Sequence, residues 1–208
     1  MAERKGTKFQ GGLYPTVAVS DCFLALTHYY SAGLAFYSSP TQPAFVGFSL
    51  VAIAATVGTA RFGFSESLFA GANEDLANLA ACVGLPLIGC TFATVGGLVE
   101  PLPPTNLLAL ACAGAALACL VKAIPAGSEE FLKVLVNLCL FILPVAKVGY
   151  DRQDWVLFGA IALFAVAGIA VKPDRHNCIL GVRRENWFHY MLGASAIGMA
   201  TGLAAIAR

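Results

Sequence analysis

Charged side chains are scarce in this chain. They make up 12% of its 208 residues, about half of the roughly 25% usual in a soluble domain. Hydrophobic residues make up 58%, and the mean hydropathy is +0.75. A soluble fold of this size could not cover its surface with so few charges, so we expect an integral membrane protein. The net charge is only +1 and no basic stripe is present, so we expect no nucleic-acid partner.

Paired cysteines are missing as well. None of the seven belongs to a CxxC pair or has a histidine neighbour at metal-ligand spacing, so we expect no disulfide, metal site or cofactor. Six of them lie inside apolar stretches, which predicts small buried hydrophobes with reduced thiols. The cysteines are Cys22, Cys82, Cys90, Cys112, Cys119, Cys139 and Cys178.

A recognisable catalytic motif is also absent. A membrane hydrolase needs a nucleophile with a base, or a pair of carboxylates. Asp21 is the only carboxylate within the apolar stretches, and the remaining acids lie at their ends, so we predict no catalytic residue.

The chain does contain seven apolar stretches that approach or exceed the roughly 20 residues a spanning helix requires. The connections between them are short, which leaves no room for a soluble domain. The sequence therefore predicts an all-α polytopic membrane protein, a single compact bundle of about seven transmembrane helices over residues 1–208. The predicted spans are 13–37, 43–60, 75–97, 105–124, 129–149, 154–171 and 187–207.

Basic residues fall mostly on one side of these spans. Ten of the thirteen lie on the N-terminal side, and only Lys147, Arg152 and Arg208 lie on the other. Basic loops stay in the cytoplasm. We therefore predict a cytoplasmic N-terminus and a luminal or extracellular C-terminus, in an organelle that the sequence does not identify.

The first span has a polar stripe. Tyr14, Asp21 and His28 recur every seven residues and so share one helix face. Ionisable groups inside a bilayer are costly, and they usually face the bundle interior or a pathway for ions or protons. The stripe has two interpretations. It either carries ions or solute, or it only ties span 1 to a neighbour; the side chains considered as partners are Lys147, Asn78, Asn106 and Asn137.

Three further features concern helix geometry and the membrane surface. Pro86 removes a backbone hydrogen bond and predicts a break or kink in span 3. Ala194, Gly198 and Gly202 form a small-residue stripe that suits close helix packing in span 7. The loop before span 7 carries Arg175, His176, Arg183 and Arg184, which either contact anionic lipid head groups or form an ordinary cytoplasmic loop.

Helix starts are also marked in the sequence. Asn73 with Glu74 and Asp75 predicts the start of span 3, and Ser128 with Glu129 and Glu130 predicts the start of span 5. In both places a capping side chain precedes two carboxylates that suit the positive end of a helix.

One resemblance extends along the chain. It is carried by short motifs: Glu74-Asp75-Leu76, Val83-Gly84-Leu85-Pro86-Leu87, Asn106-Leu107-Leu108, and Val166-Ala167-Gly168-Ile169 followed by a charged loop and an aromatic helix start. In these motifs the chain resembles the transmembrane protein 276 family. The resemblance implies a small polytopic membrane protein and supplies neither activity nor cofactor.

The function expected from sequence is that of a non-catalytic accessory or assembly subunit of a larger membrane complex, because small-residue helix faces are present and catalytic groups are absent. Its partners would be the lipid bilayer and other membrane subunits. One alternative is a small transporter or channel that uses the polar stripe of span 1. Another is a protein that binds or modifies lipids.

Overall fold

A computed structural model describes residues 14–38, 43–121, 123–125, 128–171 and 177–207. In this part of the chain the fold is all-α apart from one short hairpin. The helices are α1 (Pro15–Ser38), α2 (Ala44–Gly63), α3 (Glu66–Val95), α4 (Pro104–Val121), α5 (Ser128–Asp151), α6 (Trp155–Val171) and α7 (Arg184–Ile206). The strands β1 (Cys178–Ile179) and β2 (Val182–Arg183) pair antiparallel just before α7.

Five of the helices, α2, α3, α4, α5 and α7, are long and apolar enough to cross a membrane. Helix α6 is apolar but shorter. Helix α1 has 24 residues and is not in this group because five buried polar side chains lower its hydropathy: Ser20, Asp21, Thr27, His28 and Ser31. The all-α prediction is confirmed for the described residues, and five of the seven predicted spans meet the length and hydropathy that a membrane crossing requires.

The buried face of helix α1 carries polar side chains, and its exposed face carries large apolar ones. Its polar side chains Ser20, Asp21 and His28 are buried, with at most 4% of their surface exposed, whereas Val19 and Leu26 are exposed by more than 60%. A helix of a water-soluble fold shows the opposite arrangement. The exposed face of α1 therefore suits a lipid environment.

The helices pack around one main apolar core. Helix α1 lies against α2 and α7, α2 lies against α3, and α6 lies against α7 and α5. Phe48, Ile88, Phe92, Phe141 and Leu157 are fully buried at the centre. Helices α4 and α5 are mostly exposed in the isolated chain, so they form the outer side of the bundle.

Three helices contain a wider π turn. The segments are Ala80–Gly84 in α3, Leu138–Ile142 in α5 and Ala167–Val171 in α6. Those in α3 and α5 end two residues before Pro86 and Pro144, and Leu85 and Leu143 donate their N–H groups five residues back. The sequence leaves both a break and a kink open at Pro86; α3 is not broken there, because the π turn re-pairs the backbone and the helix continues to Val95.

Several local predictions also differ from the structure. Helix α3 starts at Glu66 with Ser65 as its N-cap, so Asn73 lies inside the helix and does not cap it. Of the seven free cysteines only Cys82 is buried and Cys90 is half-buried, because the others lie on outward helix faces or on β1. The predicted start of α5 at Ser128 is confirmed.

Candidate functional site

Five helices line a half-open cavity at the inner face of α1. Its volume is about 280 Å³, just below the range of about 300–1,000 Å³ typical for drug-sized ligands. Its polar lining consists of Asp21 and His28 from α1, Asn73 from α3, and Glu185 and His189 from α7. Its apolar lining consists of Leu24, Val51, Ala54, Ala55, Phe62, Ala77, Ala80, Ala81, Leu85, Phe164, Phe188 and Leu192. The cavity therefore suits a small solute that is mostly apolar and carries a polar group.

Asp21 is paired with a histidine across the bundle. Its Oδ1 atom lies 3.3 Å from Nδ1 of His189, and both side chains are buried. Ser20 Oγ lies 2.9 Å from the same nitrogen and 3.3 Å from Oδ1 of Asn186. These contacts tie the N-terminal part of α1 to the first turns of α7.

The partner of Asp21 differs from the four that the sequence suggested. Lys147 pairs with Asp151 on its own helix, and Asn78 accepts a hydrogen bond from Lys133. Helix α1 thus meets α7 through His189, a side chain that the sequence did not single out.

The other carboxylate oxygen of Asp21 faces α2 and α3. A Cβ atom added at Gly58 would lie 2.5 Å from Asp21 Oδ2 and 3.2 Å from Asn73 Nδ2. Asn73 Nδ2 donates to the carbonyl of Ala54, and Arg61 donates to Asn73 Oδ1. Arg61 also pairs with Glu66 at 3.6 Å. This network holds Asn73 at the cavity wall, and Gly58 leaves room for the carboxylate.

His28 lies two helical turns from Asp21, which is about 10 Å along α1. Its Nδ1 atom lies 2.9 Å from the carbonyl of Leu24. A carbonyl only accepts, so this contact assigns the proton of the neutral ring to Nδ1 and makes Nε2 the acceptor. The ring packs on Phe48 at 6.1 Å. His28 thus connects the cavity to the apolar core.

Ser20, His189 and Asp21 do not form a nucleophilic triad. In a triad the serine and the carboxylate bond opposite nitrogens of the imidazole. Here both lie beside Nδ1, and Asp21 requires that nitrogen to carry the proton, so it cannot accept one from Ser20. Ser20 is also fully buried and donates to the carbonyl of Val17. The cluster therefore contains no serine activated as a nucleophile.

Tyr14 stands apart from the cavity. Its backbone N–H donates to the carbonyl of Phe62, its ring meets that of Phe62 edge to face, and Arg183 lies 5.1 Å above its ring centroid. The predicted stripe therefore divides: Asp21 and His28 line the cavity, whereas Tyr14 closes the end of α1 against α2.

Pro86 does not line the cavity either. The carbonyl that it leaves without its usual helical partner is that of Cys82. A Cβ atom at Gly114 of α4 would collide with this oxygen, so the backbone of α4 covers it. Pro86 therefore shapes the contact between α3 and α4 and does not expose a carbonyl to a solute.

The predicted stripe in α7 also divides. A Cβ atom at Gly198 would lie 2.7 Å from Cβ of Ala160, and one at Gly202 would lie 3.1 Å from Cβ of Leu157. Both glycines thus contact α6, whereas Ala194 is exposed.

The residues proposed for head groups are only partly described. Arg175 and His176 lie outside the described residues. Arg183 covers the ring of Tyr14, and Arg184 donates to the carbonyl of Ala170 at the end of α6. Both described arginines therefore stand where the end of α6 meets the start of α7.

Sequence reasoning missed three of the five polar lining residues as parts of a site: Asn73, Glu185 and His189. The predicted span 7 begins at residue 187 and leaves Glu185 in the preceding loop. In the structure α7 already starts at Arg184. The spacing of Glu185 and His189, four residues apart, places both on one helix face and would have revealed them. Among the described residues no group of three or more His, Cys, Asp or Glu side chains could hold a metal ion.

Comparisons with protein-family models, with curated proteins and with solved structures find no significant match to this chain. The cavity and the helix faces are therefore the features of the molecule that bear on its function.

Proposed function

We propose that the protein is an integral membrane protein in which all seven helices cross the bilayer, with a cytoplasmic N-terminus. The observation that supports this for α1 is its buried polar face and its exposed Val19 and Leu26. Helix α6 has 17 residues by its bounds, which is at the lower limit of about 17–25 for a spanning helix.

We further propose that the cavity binds a small, mostly apolar solute with an ionisable group and moves it across the membrane together with protons. The observation that carries this proposal is that two carboxylates and two imidazoles, from α1 and α7, line the same cavity: Asp21, Glu185, His28 and His189. The sequence alone indicates only one of these two carboxylates, Asp21, as part of a polar site. Ionisable groups at membrane depth typically mark pathways for substrates and protons.

The test has two stages. The purified protein is screened for thermal stabilisation by 2-phenylethylamine, 2-phenylethanol and 3-phenylpropanoate, which share an apolar body and differ in the polar group. The ligand that stabilises it is then added to vesicles that contain the protein and the pH-sensitive dye pyranine. We expect one ligand to raise the unfolding temperature and to drive proton movement.

The variants Asp21→Asn and Glu185→Gln should fold and lose this proton movement, because an amide cannot titrate near neutral pH. Glu100→Gln, at an exposed loop position, is the matched control and should behave like the parent. If no ligand stabilises the parent and no proton flux exceeds that of empty vesicles, the transport proposal is wrong.

A second function, that of an accessory subunit, is favoured by the outer face of α4. Ala109, Ala113 and Ala116 are exposed there, and small residues let a second helix approach closely. Purification in mild detergent should then recover a stoichiometric membrane partner. Ala113→Leu should reduce that recovery, whereas Val134→Leu on the exposed face of α5 should not. A monodisperse lone chain would contradict this second function.

A further inference from the structure

The hairpin between α6 and α7 has an apolar tip. Its strands pair Cys178 with Arg183 and Ile179 with Val182, so that Leu180 and Gly181 form the two-residue turn. Leu180 has φ +51° and Gly181 has φ +77°, which is the pattern of a type I′ turn. Such a turn favours Asn, Asp or Gly at its first position, because L-residues with larger side chains rarely adopt a positive φ.

Among the described residues Leu180 finds little packing that could offset this conformation. Its side chain is 90% exposed, and that of Ile179 is 39% exposed. A leucine in an unfavourable backbone conformation, with its side chain directed away from the fold, indicates a partner outside the described chain.

The hairpin is held firmly in place. The indole Nε1 of Trp187 donates to the carbonyl of Ile179 at 3.0 Å, and the backbone N–H of Arg184 donates to that of Asn177 at 2.9 Å. Arg184 also donates to the carbonyl of Ala170. The tip is thus fixed beside the end of α6 and the start of α7, where the proposed bundle meets the membrane surface.

We infer that Ile179 and Leu180 insert into the cytoplasmic interface of the bilayer and anchor this end of the bundle to it. The inference rests on the membrane placement proposed above and not on transport. Trp187 is an aromatic residue of the type enriched at membrane interfaces, and Arg183 and Arg184 suit the anionic lipids of the cytoplasmic leaflet. The hairpin therefore combines an apolar tip, an interfacial aromatic and two cations, a combination that fits a lipid surface.

The inference is tested with the full-length protein in phosphatidylcholine and phosphatidylserine vesicles that contain lipids brominated near the head group. The variants Leu180→Trp and Ile179→Trp report on the tip, and Glu100→Trp is the control at an exposed loop position. The emission of the added indole is obtained by subtracting the emission spectrum of the parent from that of the variant. Ile179→Trp keeps the test valid if Leu180→Trp does not fold.

We expect the added tryptophan at the tip to emit at shorter wavelength than the one at residue 100, and to be quenched by brominated lipid but not by iodide. Iodide quenching at the tip, with no loss in brominated lipid, would overturn the inference. So would a tip that becomes shielded only in native membranes, since that would indicate a protein partner. The two tryptophans of the parent, Trp155 and Trp187, separate the two proposals: if neither is quenched by any brominated lipid, the membrane placement fails as well.

Discussion

Gly58 makes it possible for Asp21 to lie between three helices. The carboxylate approaches the backbone of α2 so closely that any side chain at position 58 would meet its Oδ2 atom, and Asn73 fills the remaining space. A buried carboxylate requires hydrogen-bond donors around it. The missing Cβ at Gly58 therefore lets α2 and α3 approach the charge that α1 carries.

Gly58→Ala adds only one methyl group, but we expect it to disturb the site strongly. The added methyl group would push Asp21 away from Asn73, and overpacking of this kind costs about 1–3 kcal/mol of stability. We expect a lower unfolding temperature and a loss of any ligand-induced stabilisation, both measured by thermal unfolding in detergent.

Gly71→Ala is the matched control for this substitution. Gly71 is also helical, is exposed, and has open space around its Cβ position. Alanine favours a helix over glycine by up to about 1 kcal/mol, so this variant should be as stable as the parent or slightly more stable. Equal behaviour of the two variants would contradict the tight placement of Asp21.

At the site, the sequence predicts the residues that are unusual for their segment and misses those that are common at a helix start. Asp21 and His28 are conspicuous because they interrupt an apolar run, and both line the cavity. Glu185 follows a charged loop, so nothing in composition separates it from that loop, whereas His189 lies near the start of the predicted span 187–207 and was not singled out there. Their role depends on the first turns of α7 packing against α1, which is a tertiary contact.

The helices are joined at several points by glycines that face backbone atoms. A Cβ atom at Gly47 of α2 would collide with the carbonyl of Gly84, and one at Gly89 of α3 would collide with that of Leu140. Gly84 and Leu140 lie in the π turns of α3 and α5. The π turns of α3 and α5 thus lie where neighbouring helices approach each other most closely. These close backbone contacts fix how the helices pack.

Gly198→Leu should separate α6 from α7. The new side chain would occupy the position of Ala160, whose Cβ lies 2.7 Å from a Cβ built at residue 198. Helices in membranes depend on close packing of this kind, so we expect less folded protein after purification and a lower unfolding temperature.

Ala194→Leu tests whether the effect belongs to the contact or to the helix. Ala194 lies one turn earlier on α7 and is exposed, so a leucine there should be tolerated. If both variants unfold alike, the contact between α6 and α7 does not decide stability. If neither is affected, Gly198 does not pack as the structure indicates.

The sequence predicts the presence of the helices better than the residues at which they begin and end. Helix α3 begins nine residues before its predicted start at 75, because its first turns carry Glu74, Asp75 and other polar residues that a hydropathy pattern rejects. These turns are amphipathic and lie against the end of α2 through Arg61 and Glu66. The hairpin was missed for another reason: it consists of four paired residues, too few for any periodicity.

The cavity lies toward the end of the molecule that holds the described basic residues Arg61, Arg183 and Arg184. Asp21 is near the start of α1, Asn73 is in the first half of α3, and Glu185 is in the first turn of α7, and each of these helices begins on the side that holds ten of the thirteen basic residues. The apolar core around Phe48, Ile88 and Phe141 lies beyond His28. The cavity therefore belongs to the end predicted to face the cytoplasm, and the core separates it from the other end.

Which side of the membrane the cavity faces depends on the orientation of the protein in the bilayer. Tags at the two termini measure that orientation. We expect a glycosylation acceptor fused after Arg208 to be modified in cells and one fused before Arg4 to remain unmodified, because the ten-to-three excess of basic residues holds the N-terminal side in the cytoplasm. The same fusions made after substitution of Lys5 and Lys8 by Gln should keep this pattern, since eight basic residues remain on that side. Modification of the N-terminal tag alone would reverse the orientation and place the cavity at the luminal or extracellular end, and modification of both tags would mean that an even number of helices crosses the membrane.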